Sequence, residues 1–276
     1  MTKHIPENNH FDLRLSVVIP VYNEDKNIEL TFQTLEKIID VSHEIIVVYD
    51  FDEDTTLPVV RRLSLQFPQL KLVKNNIARG PSGAIRSGIA QARGENVLVI
   101  MADLCDDLTQ VPQMLSLIRT SADIVCPSRY CRGGDQILTE TAYLKALIPR
   151  VASFFIKFLT GIPTSDSTNS FKLYSNKMLQ DFKLTSTVSF SVTLEIVVKA
   201  HCLGYRLIEI PTVWRDRQHG KSNFNLGRSI IVYLPWFLLS FLRGRVIRLP
   251  QRYFRKWFGS PEKVVTPNKE KKIEFC

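Results

Sequence analysis

The stretch Leu15-Ser-Val-Val-Ile-Pro-Val-Tyr-Asn-Glu24 is apolar almost without interruption as far as Val21, then turns polar and acidic. A short run rich in β-branched residues, with no alternating polar face, reads as a strand buried on both sides. The pattern returns downstream. Glu44-Ile-Ile-Val-Val-Tyr49 is a second such strand and runs into Asp50-Phe-Asp-Glu-Asp54. Leu70-Lys-Leu-Val73 is a third. Asn96 to Met101 is a fourth and closes on Ala102-Asp-Leu-Cys-Asp-Asp107; Asp123 to Pro127 is a fifth. Between them lie helical signals. Asn27 to Ile39 spaces Ile28, Phe32, Leu35 and Ile38 at helical intervals. Thr55 to Phe67 carries Pro58 in its first turn, where a missing N–H is tolerated. Pro81 to Ala92 is stopped by Gly94. Doubly apolar strands alternating with helices predict an α/β fold, with a mostly parallel central sheet covered by helices on both faces.

The second half changes character. Asn169 to Tyr174 and Arg206 to Ile210 read as strands, Ser191 to Leu203 as a helix, and Trp214 to Ser222 as a charged loop. Tyr143 to Gly161 is an apolar helix with Lys145, Arg150 and Lys157 interspersed. Ile230 to Leu242 is apolar with Trp236 and Phe237 at its centre, and Arg243, Arg245, Arg248, Arg252, Arg255 and Lys256 follow it. No internal repeat stands out.

Composition narrows the classes. With 276 residues the chain can bury the core of one large domain or two modest ones. Hydrophobic residues at 45% and charged residues at 23% are those of a folded globular protein. The 12 Gly and 14 Pro exclude collagen-like and low-complexity readings. The 5 Cys are scattered, with no CxxC, which favours a reducing compartment over a disulfide framework or a zinc site. The first residues hold no apolar signal region, and no apolar run reaches the ~20 residues of a spanning helix. The net charge of +9 is uneven: from Gly227 onward there are 11 Lys/Arg against 3 Asp/Glu, so the body is nearly neutral and the tail a cation. A basic tail suits nucleic acid or an anionic membrane. The body has no basic patch interleaved with aromatics, which argues against nucleic acid.

In open parallel sheets ligands bind beyond the carboxyl ends of the strands. Three strand ends here are acidic or amide-rich: Pro20 to Glu24, Asp50 to Asp54, and Asp103 to Asp107. Asp and Asn also cap helices, which needs no ligand. Several carboxylates on one edge are harder to explain that way, since they repel unless a cation or a donor-rich ligand lies between them. No GxGxxG or GxxxxGK[ST] is present, so phosphate binding by either glycine-rich loop lacks its mechanism.

Val18-Ile-Pro-Val-Tyr-Asn-Glu24, Glu44 to Val48 with Asp50 and Asp54-Thr, Ala102-Asp-Leu104, Pro127-Ser-Arg-Tyr130, Asp166 with Ser170-Phe, and Asp216-Arg-Gln-His-Gly-Lys-Ser222 occur in that order. The ordered set resembles a family 2 glycosyltransferase of the GT-A fold, in the branch of dolichol- or polyprenol-phosphate sugar transferases. The resemblance covers roughly residues 14–226. It implies a nucleotide-diphosphate sugar as donor, a polyprenyl or dolichyl phosphate as acceptor, a divalent metal (Mg2+ or Mn2+) and an inverting transfer of mannose or glucose. A glycan acceptor and a non-catalytic GT-A scaffold at a membrane are the alternatives. Residue by residue, Pro20, Tyr22, Glu24 and Asp50 match donor-binding positions. Ala102 and Asp103 match the end of the DxD motif, with Asp103 as metal ligand. Arg129 and Lys145 match positions facing the acceptor phosphate, and Arg217 matches the loop that closes over the donor diphosphate. Asp103, Arg129 and Arg217 are the implied catalytic set.

The sequence departs from that pattern. Met101 stands where the first DxD Asp is expected, Tyr49 where an acidic pair begins, and Asn223 where a Lys is common. Asp106, a hard oxygen donor, or Cys105 could assist Asp103 at a metal. Glu195 reads equally as an active-site residue or a structural ion pair. His219 reads as a solvent-facing loop residue. The expected organisation is an extension over 1–13, a transferase domain over 14–226, an interfacial membrane-associating segment over 227–259 and a disordered basic tail over 260–276. The expected location is cytoplasmic and peripheral to a membrane, with room for a membrane-anchored partner protein.

Overall fold

The computed structural model describes residues 13–137, 143–216, 226–243 and 250–258. Its centre is a seven-stranded sheet in the order β3-β2-β1-β4-β7-β5-β8. β1 (Leu15–Pro20) lies between β2 (His43–Tyr49) and β4 (Asn96–Val99), parallel to both. β3 (Leu70–Lys74) extends the sheet beside β2. β5 (Ile124–Ser128) and β8 (Leu207–Pro211) pair in parallel. β7 (Lys172–Ser175) runs antiparallel between β4 and β5. β6 (Asp135–Ile137) and β9 (Val213–Arg215) form a small separate ribbon.

The doubly apolar strands meet a core on each face. Val17, Ile19, Ile45 and Val47 face α1 (Ile28–Ile38), α2 (Thr56–Ser64) and α4 (Val111–Thr120), with Phe32, Val60 and Met114 among their partners. Val18, Ile46, Val48 and Val97 face α3 (Pro81–Gln91) and α7 (Ser191–Leu203). The alternation of side chains along each strand is thus buried on both sides, as a parallel sheet requires.

α3 lies very close to the sheet. A Cβ placed on Gly88 would sit 2.3 Å from Val18 Cγ1 and 3.1 Å from Val48 Cγ2. Gly88→Ala gains ~1 kcal/mol of helix propensity against an overpacking cost of ~1–3 kcal/mol. The valines are stiff in a central strand, so the cost wins. A net loss of about 1–2 kcal/mol is expected, read as a lowered midpoint in urea unfolding; a midpoint at or above wild type would show that α3 can lift off without loss.

α7 is buried on nearly every face, as a helix surrounded by other elements must be. α8 (Leu226–Arg243) and α9 (Gln251–Phe258) pack against it. The short helix α6 (Asn176–Leu179) follows β7, and α5 (Tyr143–Thr160) packs beside α8. Pro235 lies inside α8. The C-terminal run, expected as an interfacial membrane-associating segment, packs one side against α7. Trp236 turns inward, donates from Nε1 to Ser186 Oγ at 3.1 Å, and lies 5.2 Å from Lys199 Nζ of α7. Phe254 and Phe258 of α9 are buried. A helix with an aromatic centre and basic ends satisfies either environment; here the aromatic centre turns toward α7.

Candidate active site

The loops after β1 and β2 are stitched together. Asn23, at φ +54°, takes the left-handed conformation that asparagine tolerates. Its N–H donates to Asp54 Oδ1 at 3.1 Å, and its Oδ1 accepts from Thr55 N at 3.1 Å. Glu24 N donates to Thr56 Oγ1 at 2.9 Å, and the Glu24 carboxylate accepts from Asn27 Nδ2 at 2.8 Å. Asp54 is buried and also accepts from Thr56 N at 2.8 Å, so it serves as the bolt between the two loops. Tyr22 is exposed and meets Phe51 edge-on at 5.5 Å, while the Arg79 guanidinium lies 5.8 Å above Phe51. These side chains form an aromatic and cationic cluster beyond β1 and β2.

Asp50 organises the third loop. Its Oδ1 accepts from Asn75 Nδ2 at 2.6 Å and its Oδ2 from Gly80 N at 2.8 Å. Gly80 sits at φ +108°, a conformation that a residue with a Cβ resists. Asp50 therefore fixes the 75–80 loop that presents Arg79, while a carboxylate retains lone pairs for a further donor.

Beyond β4, Asp103 is nearly buried and its Oδ1 accepts from Cys105 N at 3.2 Å. Leu104 follows at φ +58°, a strained conformation for a non-glycine residue that costs ~1–3 kcal/mol and recurs at functional sites. Ala102 is buried, and its carbonyl accepts from Thr31 Oγ1 at 3.2 Å. The Cys105 carbonyl accepts from Arg215 N at 3.0 Å, which ties β9 to this turn. Burial, and then the Asp103 charge, push the Asp106 carboxyl up to about 7. Asp107 is a cap: it accepts from Thr109 N at 3.2 Å and Thr109 Oγ1 at 2.6 Å.

Beyond β5, Arg129 forks onto Asp166. Nε donates to Oδ2 at 2.7 Å and Nη2 to Oδ1 at 2.9 Å. Burial acts to raise the Asp166 carboxyl, but the guanidinium outweighs it and holds Asp166 below the ordinary aspartate value. Burial likewise opposes the Arg129 charge, and Asp166 overcomes it. The fork engages two of the five guanidinium N–H groups, so an arginine held this way can still donate elsewhere. β4, which leads to Asp103 and Asp106, and β5, which leads to Arg129, flank the antiparallel β7, so the carboxylates and the buttressed cation stand at the same edge of the sheet.

Pro20, Tyr22, Glu24, Asp50, Ala102, Asp103, Asp106 and Arg129 therefore stand at the carboxyl ends of β1, β2, β4 and β5, on one edge of the sheet. Lys145 falls on α5, but its side chain lies outside the described residues; so do Arg217 and His219. Sequence reasoning assigns no role to Asp54, Asn75 or Asp166, each of which holds a site residue in place. Glu195 forms a buried ion pair with Lys199, at 2.6 Å.

The order of these strand-end motifs agrees with a single family description, glycosyl transferase family 2, which matches residues 16–182. The chain belongs to glycosyl transferase family 2. Among family relatives, it is 26% identical over 227 residues to a dolichol-phosphate mannosyltransferase of Pyrococcus furiosus, covering 80% of this chain and 62% of that one. It is 26% identical over 245 residues to an undecaprenyl-phosphate mannosyltransferase of Micrococcus luteus, covering 86% of this chain and 99% of the relative. The chain thus spans less than two thirds of the Pyrococcus protein and nearly all of the Micrococcus one. Its fold resembles that of a glucosyl-3-phosphoglycerate synthase from Mycobacterium tuberculosis, solved with Mg2+ and uridine diphosphate. The TM-score is 0.59 at 16% identity, over 85% of each chain. That likeness establishes the GT-A architecture expected for the family 2 chain.

Proposed function

We propose that this family 2 chain transfers a hexose, mannose or glucose, from a nucleotide-diphosphate sugar to a polyprenyl or dolichyl phosphate, with inversion, at a membrane surface. The observation that carries the reading is that Asp103 and Asp106, beyond β4, and the Asp166-buttressed Arg129, beyond β5, stand on one edge of the sheet. That arrangement supports assigning the carboxylates to the donor diphosphate and the fixed cation to a second phosphate. The relatives named as dolichol- and undecaprenyl-phosphate mannosyltransferases support the acceptor class.

The donor base and ribose would lie against the Tyr22, Phe51 and Arg79 cluster, beside Pro20, Glu24 and the loop that Asp50 fixes. Arg217 would close over the diphosphate. Arg129 and Lys145 would hold the acceptor phosphate so that one of its oxygens faces the anomeric carbon opposite the leaving group. That oxygen forms the new C–O bond while the bond to the diphosphate breaks, and the nucleoside diphosphate departs with the electron pair. A phosphate monoester, with its second pKa near ~6, needs no strong protein base.

The donor set fits a divalent cation. Asp103 and Asp106 are hard oxygen ligands, the Asp103 charge helps to raise the Asp106 carboxyl, and Mg2+ is commonly held by one or two carboxylates together with substrate phosphates. Those two residues would hold it; when bound, it neutralises charge on the departing diphosphate.

The test is a panel of nucleotide-sugar donors with polyprenyl phosphate, with Mg2+ or Mn2+, read as lipid-linked sugar. Product from one donor is expected; no product from any would sink the reading. Arg129→Lys keeps the charge but loses the fork. It is expected to lower transfer ~10²-fold, with a higher acceptor KM and unchanged donor binding in calorimetry. Equal loss of donor affinity would move Arg129 to the donor side.

A further inference from the structure

α5, α8 and α9 together contain eight Lys or Arg and neither Asp nor Glu, in a chain with 27 acidic residues. One side of α5 is pinned to the protein. Lys157 Nζ donates to Ser165 Oγ at 2.8 Å and Glu209 Oε2 at 2.9 Å, and Ser153 and Thr160 are buried. The other side presents Val151, Phe154, Phe155 and Phe158, spaced as one helical face, with the phenylalanines 53–64% exposed. The Phe154 and Phe158 rings stack at 6.3 Å, and Phe155 meets Phe154 at 5.8 Å. The neighbouring α8 adds Leu234 and Leu238, 50% and 54% exposed.

We propose that this composite face of α5 and α8 docks into the interfacial layer of an anionic bilayer. The inference rests on the lipid-phosphate reading for its purpose, since the acceptor's headgroup lies in that layer. Its chemistry stands separately. Aromatic and aliphatic side chains on helices that carry cations and no anions match a negatively charged lipid surface. A second copy of the chain is the poorer occupant, because it would set acid-free basic helices against each other, and like charges across an interface are costly. The inward-facing Trp236 is not part of the contact.

The full chain is tested by co-sedimentation with vesicles of phosphatidylcholine and phosphatidylglycerol in equal parts. Wild type is expected to bind, more weakly at high salt. Phe154→Ser/Phe155→Ser/Phe158→Ser is expected to lose binding about tenfold or more, with its circular-dichroism melt unchanged. The matching triple Leu variant, which keeps the apolar surface, is expected to bind close to wild type. Wild-type vesicle binding that the Ser variant retains, or no wild-type binding, overturns the proposal. So does a wild-type dimer, seen in sedimentation equilibrium, that the Ser variant dissolves without any vesicle binding; the face would then be a self-association surface. Transfer to polyprenyl phosphate in detergent micelles separates the two readings. Equal micellar rates for wild type and Ser variant, with vesicle transfer lost only in the variant, support the docking face. Vesicle binding through this face with no transfer to any polyprenyl phosphate overturns the lipid-acceptor reading alone.

Discussion

Asp103→Asn is expected to lower sugar transfer by about three orders of magnitude, roughly 4 kcal/mol of transition-state stabilisation, while leaving the fold intact. The substitution is nearly isosteric. The Asn Oδ1 can still accept the Cys105 N–H that Asp103 accepts at 3.2 Å. What it removes is the negative charge beside Asp106. That charge helps to push the Asp106 carboxyl up to about 7, so its loss lets Asp106 ionise more readily without restoring a pair. The proposed metal site, built on two carboxylates, would be left with one. Met101 and Cys105, the flanking residues on either side, cannot substitute as hard ligands. Initial rates over a Mg2+ or Mn2+ titration measure the effect. Asp107→Asn is the control. Asp107 caps a short helical turn, and Asn caps about as well as Asp, so its substitution is expected to leave both stability and rate near wild type. An Asp103→Asn enzyme of wild-type rate would place the metal and diphosphate elsewhere, and an Asp107→Asn enzyme as damaged as Asp103→Asn would make the rate loss a folding effect.

What is legible in the sequence follows from which interactions are local. β1, β2 and β4 are short apolar runs buried on both faces, and the acidic residues follow them directly in the chain. A parallel sheet then carries all those residues to one edge by topology alone. The positions of Pro20, Tyr22, Glu24, Asp50 and Asp103 on that edge therefore follow from chain order and strand pattern. β7 is harder to bound. The expected Asn169–Tyr174 strand is Lys172–Ser175, antiparallel, and Lys172 is fully buried at its start. Its ammonium donates to the Asp166 and Asn169 carbonyls, a desolvated arrangement that propensity cannot anticipate. Burial lowers its pKa. The partners that fix the site are illegible for the same reason. Asn75 and Gly80 reach Asp50 from the loop after β3. Asp166 reaches Arg129 from a distant turn. Asp54, in the Asp50…Asp54-Thr pattern, and Asp166, ahead of Ser170-Phe, do stand in the ordered motif set, and that order is the one signal that singles them out.

Glu195→Ala is the second large effect, and it separates the two readings of that residue. The Glu195 side chain is fully buried on α7 and carries a whole junction. Oε1 accepts from Lys199 Nζ at 2.6 Å, Thr185 N at 2.8 Å and Thr185 Oγ1 at 2.9 Å; Oε2 accepts from Ser186 N at 2.7 Å. Ser186 in turn accepts from Trp236 of α8 through its hydroxyl and from Arg86 of α3 through its carbonyl. Lys199 lies over the rings of Phe182, Trp236 and Phe258, so its charge sits between the transferase core and both C-terminal helices. Burial lowers its pKa, and Glu195 opposes that shift. Alanine at 195 leaves a buried ammonium without its counter-ion and orphans two backbone N–H groups. Breaking a buried pair from one side costs ~3–5 kcal/mol. For a chain of this size that lowers the melting midpoint by roughly 10 °C. Replacing Lys199 with Met as well removes the stranded charge and is expected to recover only part of the loss, because the Thr185 and Ser186 donors stay unpaired. Rates measured well below the lowered midpoint are expected to stay near wild type. A Glu195→Ala protein with a wild-type melt and an abolished rate would instead make Glu195 a participant in the reaction. Wild-type behaviour in both would mean that water or a shifted Lys183–Ser186 segment takes over its bonds.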